Sequence, residues 1–331
     1  MATIGNNLPT LQDHARMLDP NGKIDKIVEL LNRNNEILND MVYVEGNLPT
    51  GHLSTVRTGL PDVAWRLLNY GVPNGKAESA QVTDTCGMLE AYSEVDKRVA
   101  SLNGNTAEFR LSQDKAFIEA MNQAMATTLF YGDTRVNPER FLGLAPRFSD
   151  AINAGNKDQL INGNGTGSNN TSIWLVVWSP ETVFGIYPKG TKAGINHQDL
   201  GEVTLTDANG NKFQGYRGHY EWHTGLVVAD WRYVVRICNI NVPNLISGSG
   251  AADLVPLMIE ASERIPSLNM GKAAWYCNRV VRTALRKQIT AKANVNLTWD
   301  SVAGKRILAF DEIPVRRCDA ILSTESQISF A

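Results

Sequence analysis

Nowhere in these 331 residues is there a stretch approaching the roughly 20 apolar residues that a membrane-spanning helix requires. The opening MATIGNNLPTLQDHARMLDP also lacks the basic and apolar regions of a secretory signal. Cysteine is scarce: Cys86, Cys238, Cys277 and Cys318 lie far apart, with no CxxC pair among them. That spacing argues against a cysteine-built zinc site and a disulfide scaffold, and it suits a reducing cytoplasm. An excess of charge of either sign is missing too, since 32 Lys and Arg face 34 Asp and Glu, for a net charge of −2. A strongly basic face for tight nucleic-acid binding is therefore not expected. Such a balance lets a protein sit beside nucleic acid without gripping it. Together these absences lead us to expect a soluble intracellular product with no membrane partner.

Catalytic signatures are equally thin. There is no GxSxG elbow, no GxxxxGK[ST] phosphate loop and no cysteine in a catalytic context. Residues 153–172, NAGNKDQLINGNGTGSNNTS, carry Gly163, Gly165 and Gly167. A dinucleotide loop should open a helix, whereas this one runs into the strand-like Ile173–Trp178, so a mobile surface loop is expected. With 43% hydrophobic and 20% charged residues, the chain has material for one large core or two moderate ones.

What the chain does have is a ribbon with nothing of its own to lie on. Residues 49–99 read as two extended arms joined through Tyr70-Gly71-Val72-Pro73-Asn74-Gly75, where Pro73 and Asn74-Gly75 signal a turn. Apolar and polar residues alternate at Val56, Arg57 and Thr58 on one arm and from Met88 to Val95 on the other. A lone two-stranded ribbon is marginal in water, and ordering each residue costs about 1–2 kcal/mol. The surface it needs is expected to come from another copy of the chain. Its large groups, Arg57, Trp65, Arg66 and Lys76, are the candidate subunit contacts, Trp and Arg being favoured at interfaces.

Residues 1–20 read as a polar arm. After the turn at Asp19-Pro20-Asn21-Gly22, the spacing of Ile24, Ile27, Val28, Leu31 and Leu38 predicts a short helix, either packed on its own core or docked on a neighbour. Ser112 should open the clearest helix, with Phe117, Ala120, Met121, Ala124, Met125 and Thr128 along one face and Gly132-Asp133 as its stop. Ser179-Pro180-Glu181 resembles a helix start with proline in the first turn. Strands are expected over 200–240, with a hairpin turn at Asp207-Ala208-Asn209-Gly210. Helices follow over about 251–264 and 271–290, then strands over 304–323 with a bend at Asp311-Glu312-Ile313-Pro314. No internal repeat occurs, and the interleaved order indicates an α+β fold rather than βαβ units.

Two clusters could carry chemistry. In a strand, His219, Glu221 and His223 share one face, which suits a metal set. The simpler reading is the polar side of a half-buried strand whose other side is Tyr220 and Trp222. The row Arg279, Arg282 and Arg286 could meet phosphates, a subunit or only solvent.

Several stretches together resemble the major capsid proteins of tailed bacteriophages, in particular the short-tailed, epsilon-fifteen-like branch. They are LPTGH at 48–52, TGLPDVAWRLLNYGV at 58–72, LNGNTAEFRLSQDKAFIEAMNQAMATTLFYGD at 102–133 and PERFLGLAPRF at 138–148. HYEWHTGLVVADWRYVVRICNI at 219–240 and RILAFDEIPVRRCDAI at 306–321 extend the resemblance, with Phe130–Phe148 its most specific part.

The resemblance implies the tailed-phage and herpesvirus capsid (Johnson) fold. Its parts would be an N-terminal arm over 1–48, an E-loop ribbon over 49–86, a P-domain over 87–184 with a spine helix at 112–131, an A-domain over 185–300 and closing P-domain strands over 301–331. It implies a non-enzymatic shell subunit of the virion, without cofactor or metal, assembled in the host bacterial cytoplasm into an icosahedral head. The implied partners are further copies in hexamers and pentamers, a portal, a decoration or cement protein, and packaged double-stranded DNA bound without sequence preference. Because the arm begins almost at Met1, a separate scaffolding protein is expected rather than a cleaved leader. The rivals are a bacterial nanocompartment shell of the same fold and a metal-dependent enzyme using His219, Glu221 and His223.

Overall fold

The computed structural model describes residues 8–10, 13, 33, 35–104, 106–207, 209–248, 250–291, 297–302 and 305–330. The helix expected over Ile24–Leu31 and most of the polar arm lie outside the described residues, while Leu38 falls in a short helix, Ile37–Asp40. In chain order the strands are β1 Tyr43–Glu45, β2 Gly51–Gly59, β3 Glu78–Thr85, β4 Gly87–Asp96, β5 Leu160–Asn162, β6 Asn170–Trp178 and β7 Val183–Tyr187. Then come β8 Asn196–Thr206, β9 Lys212–Val228, β10 Val234–Asn241, β11 Lys272–Cys277, β12 Leu297–Val302, β13 Lys305–Phe310 and β14 Ile313–Arg317. The chain divides into two compact units: Met1–Arg33, Met88–Met125 and Gly194–His223 in the smaller, the remainder in the larger.

The larger unit is built around β6, all nine of whose residues are buried. It lies between β10 and β11, antiparallel to both. β5 runs parallel on the far side of β10, and β14 parallel on the far side of β11, followed by β13 and β12. Successive side chains of a strand point to opposite faces, and β6 is apolar on both. Ile173, Leu175 and Val177 pack with Val235, Ile237, Leu254, Met258 and Leu285, so the helices Leu254–Glu263 and Arg279–Ala291 cover one face. On the other face Trp174 meets the rings of Phe130 and Phe148, and Trp178 Nε1 donates to Tyr276 Oη at 2.8 Å.

The smaller unit holds β4, β8, residues 212–223 of β9, and residues 106–125 of the helix Thr106–Tyr131. β8 and β9 form the expected hairpin, with the Asp207 carboxylate accepting from the Asn209 and Asn211 amides. Val95, Ala100 and Phe109 make a small core, flanked by Tyr216.

Several expectations need correction. The long helix stops at Gly132 as expected but starts at Thr106, not Ser112, because Phe109 is needed in the small core. Its buried stripe is Met121, Met125 and Leu129, while Ala120 and Ala124 are exposed. The Gly/Asn-rich loop is only partly a surface loop. Leu160–Asn162 is a strand, and a Cβ on Gly165 would stand 2.5 Å from the Asn239 carbonyl oxygen. Ser179-Pro180-Glu181 makes a tight turn into β7 rather than a helix, since Val183-Phe184 already has β-branched and aromatic strand character. The helix expected over 271–290 splits into β11 and a helix that opens at Arg279, where Asn278 Oδ1 accepts from the Val281 amide. Among the described residues no helix is long and apolar enough to cross a membrane.

Candidate assembly surface

β2 and β3 form a two-stranded sheet of their own, paired from Gly51↔Thr85 to Gly59↔Glu78. The second arm is therefore Glu78–Thr85, not Met88–Val95. Met88–Val95 alternates because β4 has one face inward, at Ser93 and Val95, and one outward. β3 reads Glu-Ser-Ala-Gln-Val-Thr-Asp-Thr, with no apolar face to bury, as a free-standing arm requires.

The ribbon is clamped at its root. Arg147 Nη2 bonds Asp84 Oδ1 at 2.6 Å and also the Leu142 and Leu226 carbonyls, with both side chains of the ion pair largely buried. The Cys86 amide donates to the Thr50 carbonyl at 2.9 Å, and Asn47 both gives to and takes from the Leu53 backbone. A Cβ on Gly51 would stand 2.1 Å from the Asp84 carbonyl oxygen, so only glycine lets the arms close there.

Outward from this root the ribbon is bare. Every residue from Asp62 to Thr83 is exposed. Residues 60–77 form no strand, and their turn lies at Leu67–Tyr70, with Asn69 at φ 66°, rather than at Pro73-Asn74-Gly75. Of the sequence-derived contacts, Arg57 lies near the outer end of β2, Trp65 and Arg66 sit in the tip, and Lys76 precedes β3. All four are exposed, Trp65 fully, and Arg66 Nε donates to the Tyr70 carbonyl at 2.9 Å. Leu60, Val63, Leu67, Leu68 and Tyr70 are exposed beside them and were not singled out from the sequence. The run Leu-Pro-Asp-Val-Ala-Trp-Arg-Leu-Leu-Asn-Tyr carried the signal, being apolar without helical or strand periodicity. A contiguous apolar patch of this kind marks an interaction surface.

The remaining candidates are placed differently. His219, Glu221 and His223 are half-buried on one face of β9, with Tyr220 and Trp222 buried on the other, as the alternation implied. Arg279 is engaged by Asp319 at 2.9 Å, which makes it a structural ion pair. The four cysteines are free. Burial pushes the thiols of Cys86 and Cys238 up to about 11 and those of Cys277 and Cys318 to about 12. Little thiolate therefore exists near neutrality, and a disulfide reagent at pH 8 should label native protein at least about 100-fold more slowly than urea-unfolded protein, where each thiol regains its ordinary value. By linkage the unfolded chain loses these protons first, so stability is full below about pH 9 and falls as pH rises toward 11–12. Equal labelling rates in the two states would show that the thiols are accessible.

A family model described as major capsid protein GP7 matches residues 19–329. The solved structure of bacteriophage Epsilon15 is similar along the full length of both chains, at 37% identity and a TM-score of 0.79. The capsid of bacteriophage JBD30 shares the fold at 9% identity and a TM-score of 0.50, over 89% of this chain and 95% of that one. No curated protein sequence matches.

Proposed function

Because the chain belongs to the major capsid protein GP7 family and is a capsid shell subunit of a phage virion, we propose that it builds its shell through the outer half of the β2–β3 ribbon. The observation that carries this is an apolar, exposed tip on a root held by a buried ion pair. Water disfavours such a patch by roughly 25 cal/mol per Å² of apolar surface, and a second copy of the chain would cover it. Arg57, Trp65, Arg66 and Lys76 would lie in that contact.

On this reading residues 1–48 are the arm, 49–86 the E-loop, 87–184 the P-domain with its spine helix, 185–300 the A-domain and 301–331 the closing strands. The subunit is structural and non-enzymatic, assembles in the host cytoplasm as hexamers and pentamers, and works with a scaffolding protein, a portal and a decoration protein. The cargo is double-stranded DNA rather than an enzyme. With a net charge of −2, its contacts to that DNA would be sparse and sequence-independent. Closed shells repeat the same contacts around local axes. Purified subunit with its scaffolding partner should therefore sediment as megadalton particles. A monomer or dimer under every condition, partner included, would overturn the proposal.

A further inference from the structure

One face of the smaller unit's sheet gathers a set of nitrogen and oxygen donors. β4 contributes Glu90, and β9 contributes His219, Glu221 and His223. His223 Nε2 stands 3.6 Å from Glu90 Oε1 and 3.9 Å from Glu221 Oε2. Ligand atoms of Glu90, Glu221 and His223 all lie within 4.8 Å of one another. A tetrahedral ion about 2.1 Å from each ligand would hold them about 3.4 Å apart. The two His223 distances, 3.6 and 3.9 Å, are already close to that spacing, and rotation of the two carboxylate side chains would complete the set.

The second oxygen of each carboxylate is already taken. His219 Nε2 lies 3.2 Å from Glu90 Oε2, where an N–H donates to the carboxylate, and Tyr92 stacks on the His219 ring at 4.5 Å. Asn196 Nδ2 donates to Glu221 Oε1 at 2.6 Å. Each carboxylate is thereby turned so that its other oxygen faces His223. Outer hydrogen bonds of this type orient metal-binding carboxylates. His223 Nε2 itself is closed off from solvent and makes no hydrogen bond. An imidazole nitrogen so placed between two carboxylate oxygens can offer its lone pair to a cation.

We propose that Glu90, Glu221 and His223 bind a divalent ion of the zinc class, tying β4 to β9, with His219 and Asn196 as positioning residues and water in the fourth place. Imidazole with carboxylate oxygens suits Zn²⁺ and its spectroscopic substitute Co²⁺. The site differs from the trio visible in the sequence: His219 supports Glu90 instead of meeting the ion. It is independent of the shell reading.

The test is titration of chelator-treated, full-length subunit with CoCl₂, followed by ZnCl₂. One equivalent of Co²⁺ should produce the visible absorption of a four-coordinate ion, and Zn²⁺ should displace it and raise the melting temperature. H223Q and E90Q should each weaken binding more than about tenfold and abolish the absorption, with H219Q retaining part of it. Circular dichroism checks that each variant is folded, and E221Q replaces E90Q if the latter is not. Absence of saturable binding overturns the proposal. So does binding by folded H223Q equal to that of the parent.

Discussion

Replacing residues 60–77 with a two-residue Asn-Gly turn is expected to abolish shell formation and leave the subunit folded. Gly59 and Glu78 already face each other across the ribbon, so a tight hairpin can join them without disturbing the clamped root. Nothing buried is removed, because the excised segment is exposed almost throughout. Shortening the loop by about three halvings should raise the stability of the unassembled subunit by up to about 2 kcal/mol, through lower closure entropy. Circular dichroism and melting would check the first half of the expectation, and sedimentation the second. A milder version, Trp65→Ala, should leave the free subunit unchanged, since Trp65 touches nothing there. It should cost about 2 kcal/mol or more per contact if the indole is a central anchor in the assembly. An unfolded trimmed protein would place the tip in the intramolecular core. Normal shells would remove the ribbon from assembly altogether.

The largest expected loss of stability belongs to Glu325. Arg236 and Glu325 form an ion pair at 3.0 Å whose side chains are 5% and 6% exposed. Arg236 also donates to the Phe148 carbonyl at 2.7 Å and to Ser172 Oγ at 3.0 Å, and lies over the Trp174 ring. Glu325 in turn accepts from the Tyr131 and Ser172 hydroxyls. Glu325→Ala leaves the buried Arg236 guanidinium without its carboxylate, which should cost about 3–5 kcal/mol in urea unfolding. It also removes the anchor of the carboxyl-terminal segment, where the backbone of Glu325 pairs with Asn170 and the Ile328 amide donates to Asn239 Oδ1. Limited proteolysis should then cut that segment faster. The double variant Arg236→Met, Glu325→Leu should recover most of the loss, because it removes both buried charges together. If Glu325→Ala melts like the parent, the pair is solvated and contributes little.

Features set by neighbours in the chain are legible in the amino-acid order itself. Ile173–Trp178 is apolar at every position and could only be a strand buried on both faces. Asp207 to Gly210 dictated the β8–β9 turn, and Gly132 ended the long helix. The ribbon's lack of a core was visible in its composition, and the capsid motifs gave the family. Two of the corrected features turned on a distant partner. Met88–Val95 and Glu78–Thr85 are both good strands, and which of them pairs with β2 depends on whether a buried face waits elsewhere; for β4 it does. Thr106 begins the helix because Phe109 meets Val95 and Tyr216. Glu90 joins His219 across 129 residues of sequence, and Arg236 finds Glu325 across 89. By itself, then, the sequence determined the local elements, the unpartnered ribbon and the family, because periodicity, turn chemistry and composition act over a few residues. The tertiary structure alone decided which arm completes the ribbon, where the buried charges meet and which side chains surround His223. Strand pairing is fixed by burying whole faces at once, and that competition is settled only when distant segments pack together.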